Sequence, residues 1–310
     1  MTFLHDALLE PFSLELLQRA LLGGSLVAVL CGVVGTWVVV RGMAFLGEAL
    51  AHGMLPGVAL ATVLGWPAML GGAVSAVAMS LGIGVLQRRG RLSYDTSIGL
   101  LFVAMLALGV IIVSHSGSFA TDATAILFGD ILAIAPLDLV LLAGAAALGL
   151  LVAALAHRSL VALAVDPRIA SVLGLAPRVA QAALVGLVTL AVVASYQAVG
   201  SLLVVGLLLA PAVAAQHWTA RIPTRMALAA ALGVLAVLVG LLVSWHAATA
   251  AGASVAGSAI AIACVSWLLR SALDGIRSWR RPHEHRGVVP PSATTPEPVA
   301  ATAERAGSPA

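Results

Sequence analysis

Lysine is absent from this chain of 310 residues; all 16 of its basic residues are arginine. Charge of either sign is scarce, at 9% of residues, where a soluble protein carries about 25%. That scarcity excludes a water-soluble globular domain. The formal net charge of +3 resides in arginines at the ends of apolar runs, which excludes a nucleic-acid-binding patch. The two cysteines, Cys31 and Cys264, both sit inside apolar segments. They read as small buried hydrophobes, not as a disulfide or a thiolate metal site. Also missing are a G-x-x-x-x-G-K-[ST] phosphate loop, paired zinc cysteines and a G-x-S-x-G nucleophile elbow. A soluble catalytic domain is therefore not expected, and any energy source must be an ion gradient or a partner chain. The first twenty residues hold acids, one arginine and no small-residue cleavage site, so a removable leader is not expected either.

What is present is apolar: 61% of residues are hydrophobic and the mean hydropathy is +1.08. The fold class is an all-α polytopic membrane protein with about nine transmembrane helices, each needing about 20 apolar residues. Spans are expected over residues 20–40, 43–64, 68–86, 94–113, 137–156, 179–199, 201–217, 226–245 and 255–269. Residues 1–19 form an amphipathic pattern, with Leu4, Leu8, Phe12 and Leu16 on one side, and fit an interfacial helix. Residues 20–270 form the transmembrane domain. The tail 271–310 is basic and then rich in Pro, Ala, Thr and Ser; it cannot bury a core and should be disordered. His283 and His285 in that tail read as stray polar residues.

Arginine placement orients the chain. Arg41, the cluster Arg88 to Arg91, Arg158, Arg168, Arg178, Arg221, Arg225 and the run from Arg270 follow the odd-numbered spans. By the positive-inside rule these turns are cytoplasmic, so the amino terminus is outside and the carboxyl terminus inside. The same parity constrains the apolar stretch 125–135, which is too short to cross. An even number of crossings must separate Arg91 from Arg158, so this stretch is re-entrant or interfacial.

Two polar residues stand out inside the second span. Glu48 and His52 are four apart, so they project from nearly the same helical face about one turn apart. A carboxylate at membrane depth costs several kcal/mol unless it has a partner or a cavity. One reading is a transient ligand pair for a divalent transition metal, since imidazole and carboxylate suit Zn²⁺, Mn²⁺ and Fe²⁺. Another is a Glu–His hydrogen bond that locks two helices. The residues alone leave both open. The cytoplasmic loop 157–178 contains a short helix pattern, with Asp166 as cap, Pro167 at the first position and Gly174 at the end. It reads as a coupling element to an ATPase or as an ordinary connecting helix. Gly200, Gly206 and Pro211 thin or break an apolar helix, which suits close packing or bending. Asp122 and Asp130 read as helix caps. His115 and His246 fall at the outer face, His157 and His217 at the inner.

Three stretches carry a resemblance. Arg41-Gly-Met-Ala-Phe-Leu-Gly-Glu-Ala-Leu-Ala-His-Gly-Met-Leu-Pro-Gly57 resembles the Gly-Asp-x-x-x-His and Leu-Pro-Gly signature of membrane permease subunits of bacterial zinc, manganese and iron ABC importers. Residues 127–133 resemble that family's short outer segment, and 200–215 its proline-containing helix. The likeness covers about residues 15–272. It implies a type II ABC importer-like homodimer in the bacterial plasma (inner) membrane, paired with a cytoplasmic ABC ATPase dimer and an extracytoplasmic metal-binding protein. It implies no tightly bound cofactor and no enzyme activity, with ATP hydrolysed in the partner and a divalent metal as cargo. By match, His52 and Glu48 take the metal positions, and Asp166, Pro167, Arg168, Ala170 and Gly174 lie in the loop the ATPase binds. Glu48 departs from the family's usual Asp by one methylene. Alternatives are a permease for iron chelates or cobalamin, a gradient-driven carrier, and an intramembrane enzyme using Glu48 and His52 as acid and base.

Overall fold

The computed structural model describes residues 11–89, 93–116, 131–166, 172 and 174–279. Among them no strand occurs, and ten α-helices make up the fold. These are α1 (Glu15–Val40), α2 (Ala44–Gly53), α3 (Leu55–Leu64), α4 (Ala68–Arg89), α5 (Tyr94–Ser116), α6 (Pro136–Leu155), α7 (His157–Val165), α8 (Pro177–Gln216), α9 (Ile222–Ala247) and α10 (Ala251–Trp279). Among the described residues eight stretches are long and apolar enough to cross a membrane, with α2 and α3 counting as one crossing. The expected seventh span corresponds to the stretch of α8 after Gly200, which is helical to Gln216. By contacts the chain divides at Ser271 into two units, and α10 continues past that point to Trp279. The expected amphipathic helix lies largely outside the described residues, as does most of the tail.

Helix α1 is the centre of the bundle. Leu30, Cys31, Val34 and Trp37 are fully buried on it, and α8, α9 and α6 pack around it. Small residues make this possible, because lipid tails give no hydrophobic drive between helices and close van der Waals contact must supply it. At Gly35 an added Cβ would overlap the Leu208 carbonyl, and at Gly32 it would meet the backbone of Ala229 and Ala230. Gly24 lies against Val237 and Gly233 against Ala28. The pairing falls as α1 rises, so α1 and α9 are antiparallel.

These contacts also gather the arginines. Arg41 Nη1 donates to the Leu163 carbonyl at 2.6 Å, and Trp37 meets His157 edge-on at 5.5 Å. Trp218 Nε1 donates to Ser266 Oγ at 2.7 Å, and that hydroxyl donates to the Ala214 carbonyl at 3.1 Å. The turn after α1, helix α7, both termini of α8, the start of α9 and the later part of α10 therefore share one end of the bundle. Arg41, Arg158, Arg178, Arg221, Arg225 and Arg270 all belong to that end. The opposite end holds His246 and the Ile131–Ala133 turn, whose neighbour Ile134 packs on Gly23. Residues 125–130 of the short apolar stretch lie outside the described residues.

Three local features shape these helices. The second span is interrupted at Met54, between α2 and α3. Pro56 removes the N–H that would have bonded the His52 carbonyl. The sixth and seventh spans run on without a separate loop, but Gly200 breaks the helical path with φ 71° and ψ 168°. That region of backbone is open to glycine and closed to other residues. Residues 157–165, read as loop, form helix α7 with Leu160 and Leu163 buried beneath it.

The Gly35–Leu208 contact yields a stability test. Gly35→Val forces a side chain into the α8 backbone and should destabilise the protein by about 1–3 kcal/mol or more, as overpacking does. Gly144→Ala, where the added carbon meets nothing within 4 Å, should leave the thermal midpoint in detergent unchanged. Equal midpoints for both variants would contradict the packing.

Candidate metal site in the second span

Helix α2 starts from a tight turn in which Gly42 takes φ 66°. Its sequence then separates two faces. Leu46, Gly47, Leu50 and Met54 are buried, with Gly47 against Leu208 of α8. Phe45, Glu48, His52 and Leu55 form a less buried stripe, at the three- and four-residue spacing of one helical face. His52 Nε2 and Glu48 Oε1 lie 2.9 Å apart, with side chains 21% and 34% exposed. Neither group is sealed inside the protomer, so the pair borders open space.

Aromatic rings fix the imidazole from the side. Phe102 of α5 meets His52 edge-on at 5.7 Å and Phe45 at 5.3 Å. The other ring nitrogen, His52 Nδ1, is buried without a hydrogen-bond partner among the described residues. Just below, Met79 of α4 packs against Gly53, and Ser75 Oγ donates to the Gly53 carbonyl at 2.7 Å. Ser75 thus supports the backbone where Pro56 interrupts the helix. Neither Phe102 nor Ser75 was singled out from the sequence. Phe102 lies fifty residues from His52 in an apolar run, and Ser75 in α4 looks like any small residue of a packed helix.

An imidazole and a carboxylate on one face can hold a divalent cation once the imidazole is neutral, because ligands must be deprotonated. Among the described residues no group of three or more His, Cys, Asp or Glu comes together. One protomer therefore offers two such donors here, short of the four that a tetrahedral site needs.

The other predicted residues lie elsewhere. Asp166 ends α7 with extended backbone, φ −161° and ψ 128°, so a helix stops there. Pro167, Arg168 and Ala170 are outside the described residues, as are Asp122 and Asp130. Gly174 takes φ 69°. Gly206 faces Ala256 with room for a Cβ at 3.6 Å. Pro211 sits in continuous helix, so the break in α8 belongs to Gly200. The segment after Gly200 packs on the buried face of α2 through Leu208, which ties that break to the helix carrying Glu48 and His52. His157 and His217 lie at the arginine end. His246 lies at the other, its Nδ1 2.8 Å from the Leu242 carbonyl.

Comparison with known proteins agrees with this architecture. The model of the ABC 3 transport family matches residues 13–270. The chain is 36% identical over 255 residues to the manganese transport system membrane protein MntC of Halalkalibacterium halodurans, covering 82% of this chain and 86% of that one. It is 31% identical over 252 residues to a probable iron transport system membrane protein of Haemophilus influenzae, covering 81% and 93%. Among solved structures, PsaBC from Streptococcus pneumoniae in complex with Fab matches with a TM-score of 0.74 at 30% identity, covering 86% of this chain and 95% of that one.

The ring contact has a direct test. Phe102→Ala removes the edge that shields His52, so carbethoxylation of His52 by diethyl pyrocarbonate should accelerate several-fold, read by peptide mass spectrometry. An unchanged rate would contradict the contact.

Proposed function

This chain belongs to the ABC 3 transport family, and from that membership and the Glu48–His52 geometry we propose that it is the permease of an importer for manganese or iron ions, working as a homodimer. It is a transport subunit and not an enzyme; ATP hydrolysis falls to a separate partner chain. The observation that carries the cargo reading is the ionisable pair on an incompletely covered face of a membrane-depth helix. Two donors from each of two protomers supply four. The site is weak while the protomers are apart and complete when they meet. A permease needs that balance, since an ion held too tightly is never released. A mixed imidazole and carboxylate set accepts Mn²⁺ and Fe²⁺ as well as Zn²⁺, and the names of the relatives favour the first two. A chelate or cobalamin would need a wide apolar cavity and no carboxylate at this depth.

Sidedness follows from charge. The arginine end faces the cytoplasm, which puts the amino terminus outside and the carboxyl terminus inside. An extracytoplasmic binding protein delivers the ion over residues 65–67, 114–135 and 246–254. The ion pauses between the two Glu48–His52 pairs and leaves toward the arginine end. The partner ATPases push on residues 157–178 and drive the helices apart.

Two measurements test this. His52→Ala should leave assembly with the ATPase intact and lower Mn²⁺ affinity by roughly 100-fold or more, beyond the roughly 10–100-fold that loss of an outer-shell partner costs. Unchanged radiolabelled manganese uptake would remove the pair from the pathway. Gly174→Pro replaces a residue at φ 69° with one locked near −65°. It should leave metal binding intact and abolish metal-stimulated ATPase activity; normal coupling would argue against the loop's role.

A further inference from the structure

We propose that the cleft between α4 and the first half of α8 is a binding site for one anionic phospholipid, with its phosphate at the arginine end and an acyl chain along the helices. The cleft has a volume of ≈ 1320 Å³. None of its lining residues is Glu48 or His52, so the inference stands apart from the transport reading.

The lining changes character along its length. Arg41, Arg178, Gln87, Gln181 and Asp95 stand at the mouth. Two arginines against one aspartate leave a net positive charge. Arg41 spends Nη1 on the Leu163 carbonyl and Nη2 on Gln181 Oε1 at 3.4 Å. Its Nε is left as a buried donor without a partner among the described residues, and so is Gln87 Nε2. Unpaired buried donors beside cationic charge are what a phosphodiester satisfies. Basic pockets between helices at the cytoplasmic surface take anionic headgroups for this reason.

Beyond the mouth the lining is apolar, with Val77, Leu81 and Gly84 on α4 and Gly186, Leu190 and Val193 on α8. Ser80 and Thr189 also lie there, but their hydroxyls stand 2.7 Å from each other and each is 2.8 Å from a helix carbonyl, of Ala76 and Val185, so both protons already have acceptors. They therefore need no water. At Gly84 and Gly186 an added Cβ would meet nothing within 4 Å, so the groove is open along both walls. From Arg178 to Val193 the helix rises roughly 22 Å at 1.5 Å per residue. That is about half of the roughly 40–45 Å bilayer with its headgroups, the depth of a single leaflet.

The test is native mass spectrometry of the full-length permease, titrated with phosphatidylglycerol, with phosphatidylcholine of the same chains, and with inorganic phosphate. The wild type should retain phosphatidylglycerol at least fivefold better than phosphatidylcholine, as about 1 kcal/mol per net basic charge gives. Arg178→Gln should abolish that preference. Gly186→Leu, which fills the groove, should remove retention of both lipids. Gly84→Leu fills it from the opposite wall and should act alike, so a folding defect in one variant is distinguishable. Equal retention of both lipids by the wild type would overturn the proposal, as would displacement by millimolar phosphate, which marks a free-anion site. Full retention in both glycine variants would overturn it too. Loss of dimer with lipid binding intact would assign the cleft to a protomer interface and overturn it as well.

Discussion

A carboxylate and an imidazole at membrane depth constrain everything around them. An ionised group at the centre of a span costs about 2.5–3.5 kcal/mol on insertion scales, and the chain offsets it by placing Glu48 and His52 one turn apart, 2.9 Å from each other. The rest of the second span serves that placement. Its buried face is small and apolar, so α8 approaches through Leu208. Pro56 interrupts the helix one turn beyond His52, and Ser75 steadies the adjoining backbone. The aromatic edge of Phe102 keeps the imidazole in place. Within the protomer His52 Nε2 is paired with Glu48 while Nδ1 has no partner among the described residues, and the stripe that carries them is less buried than the rest of α2.

Close packing supplies what the hydrophobic effect does not supply inside a bilayer. Helix α1 is lined with glycines where α8 and α9 cross it, and those crossings hold the bundle in register. The same register collects the arginine-bearing turns at one end. Charge asymmetry read along the chain and contact geometry read across it are thus two views of one arrangement. Gly200 adds a break in α8 between the part that begins at the arginine end and the part that supports α2. That break therefore lies on the packing route from the arginine end to the helix that carries Glu48 and His52.

Much of this was legible from residue order. Apolar lengths located the crossings, and arginine parity sorted the turns onto one end before any contact was known. The i, i+4 spacing placed Glu48 and His52 together. Two things were not legible, each for a physical reason. Helix α7 was hidden because nine residues with one arginine and one histidine look like a polar loop until Leu160 and Leu163 find a core. The support from Phe102 and Ser75 was hidden because contacts across α4 and α5 depend on helix rotation, which periodicity fixes poorly in segments apolar on all sides.

The position of a bound ion is the most direct test of the Glu48–His52 site. Anomalous scattering at the manganese edge, from crystals of the full-length permease grown with Mn²⁺, locates it without reference to activity. A peak is expected between two protomers, within coordination distance of a Glu48 carboxylate and a His52 ring from each. A peak elsewhere, with each Glu48 still closed on the His52 of its own protomer, would contradict it.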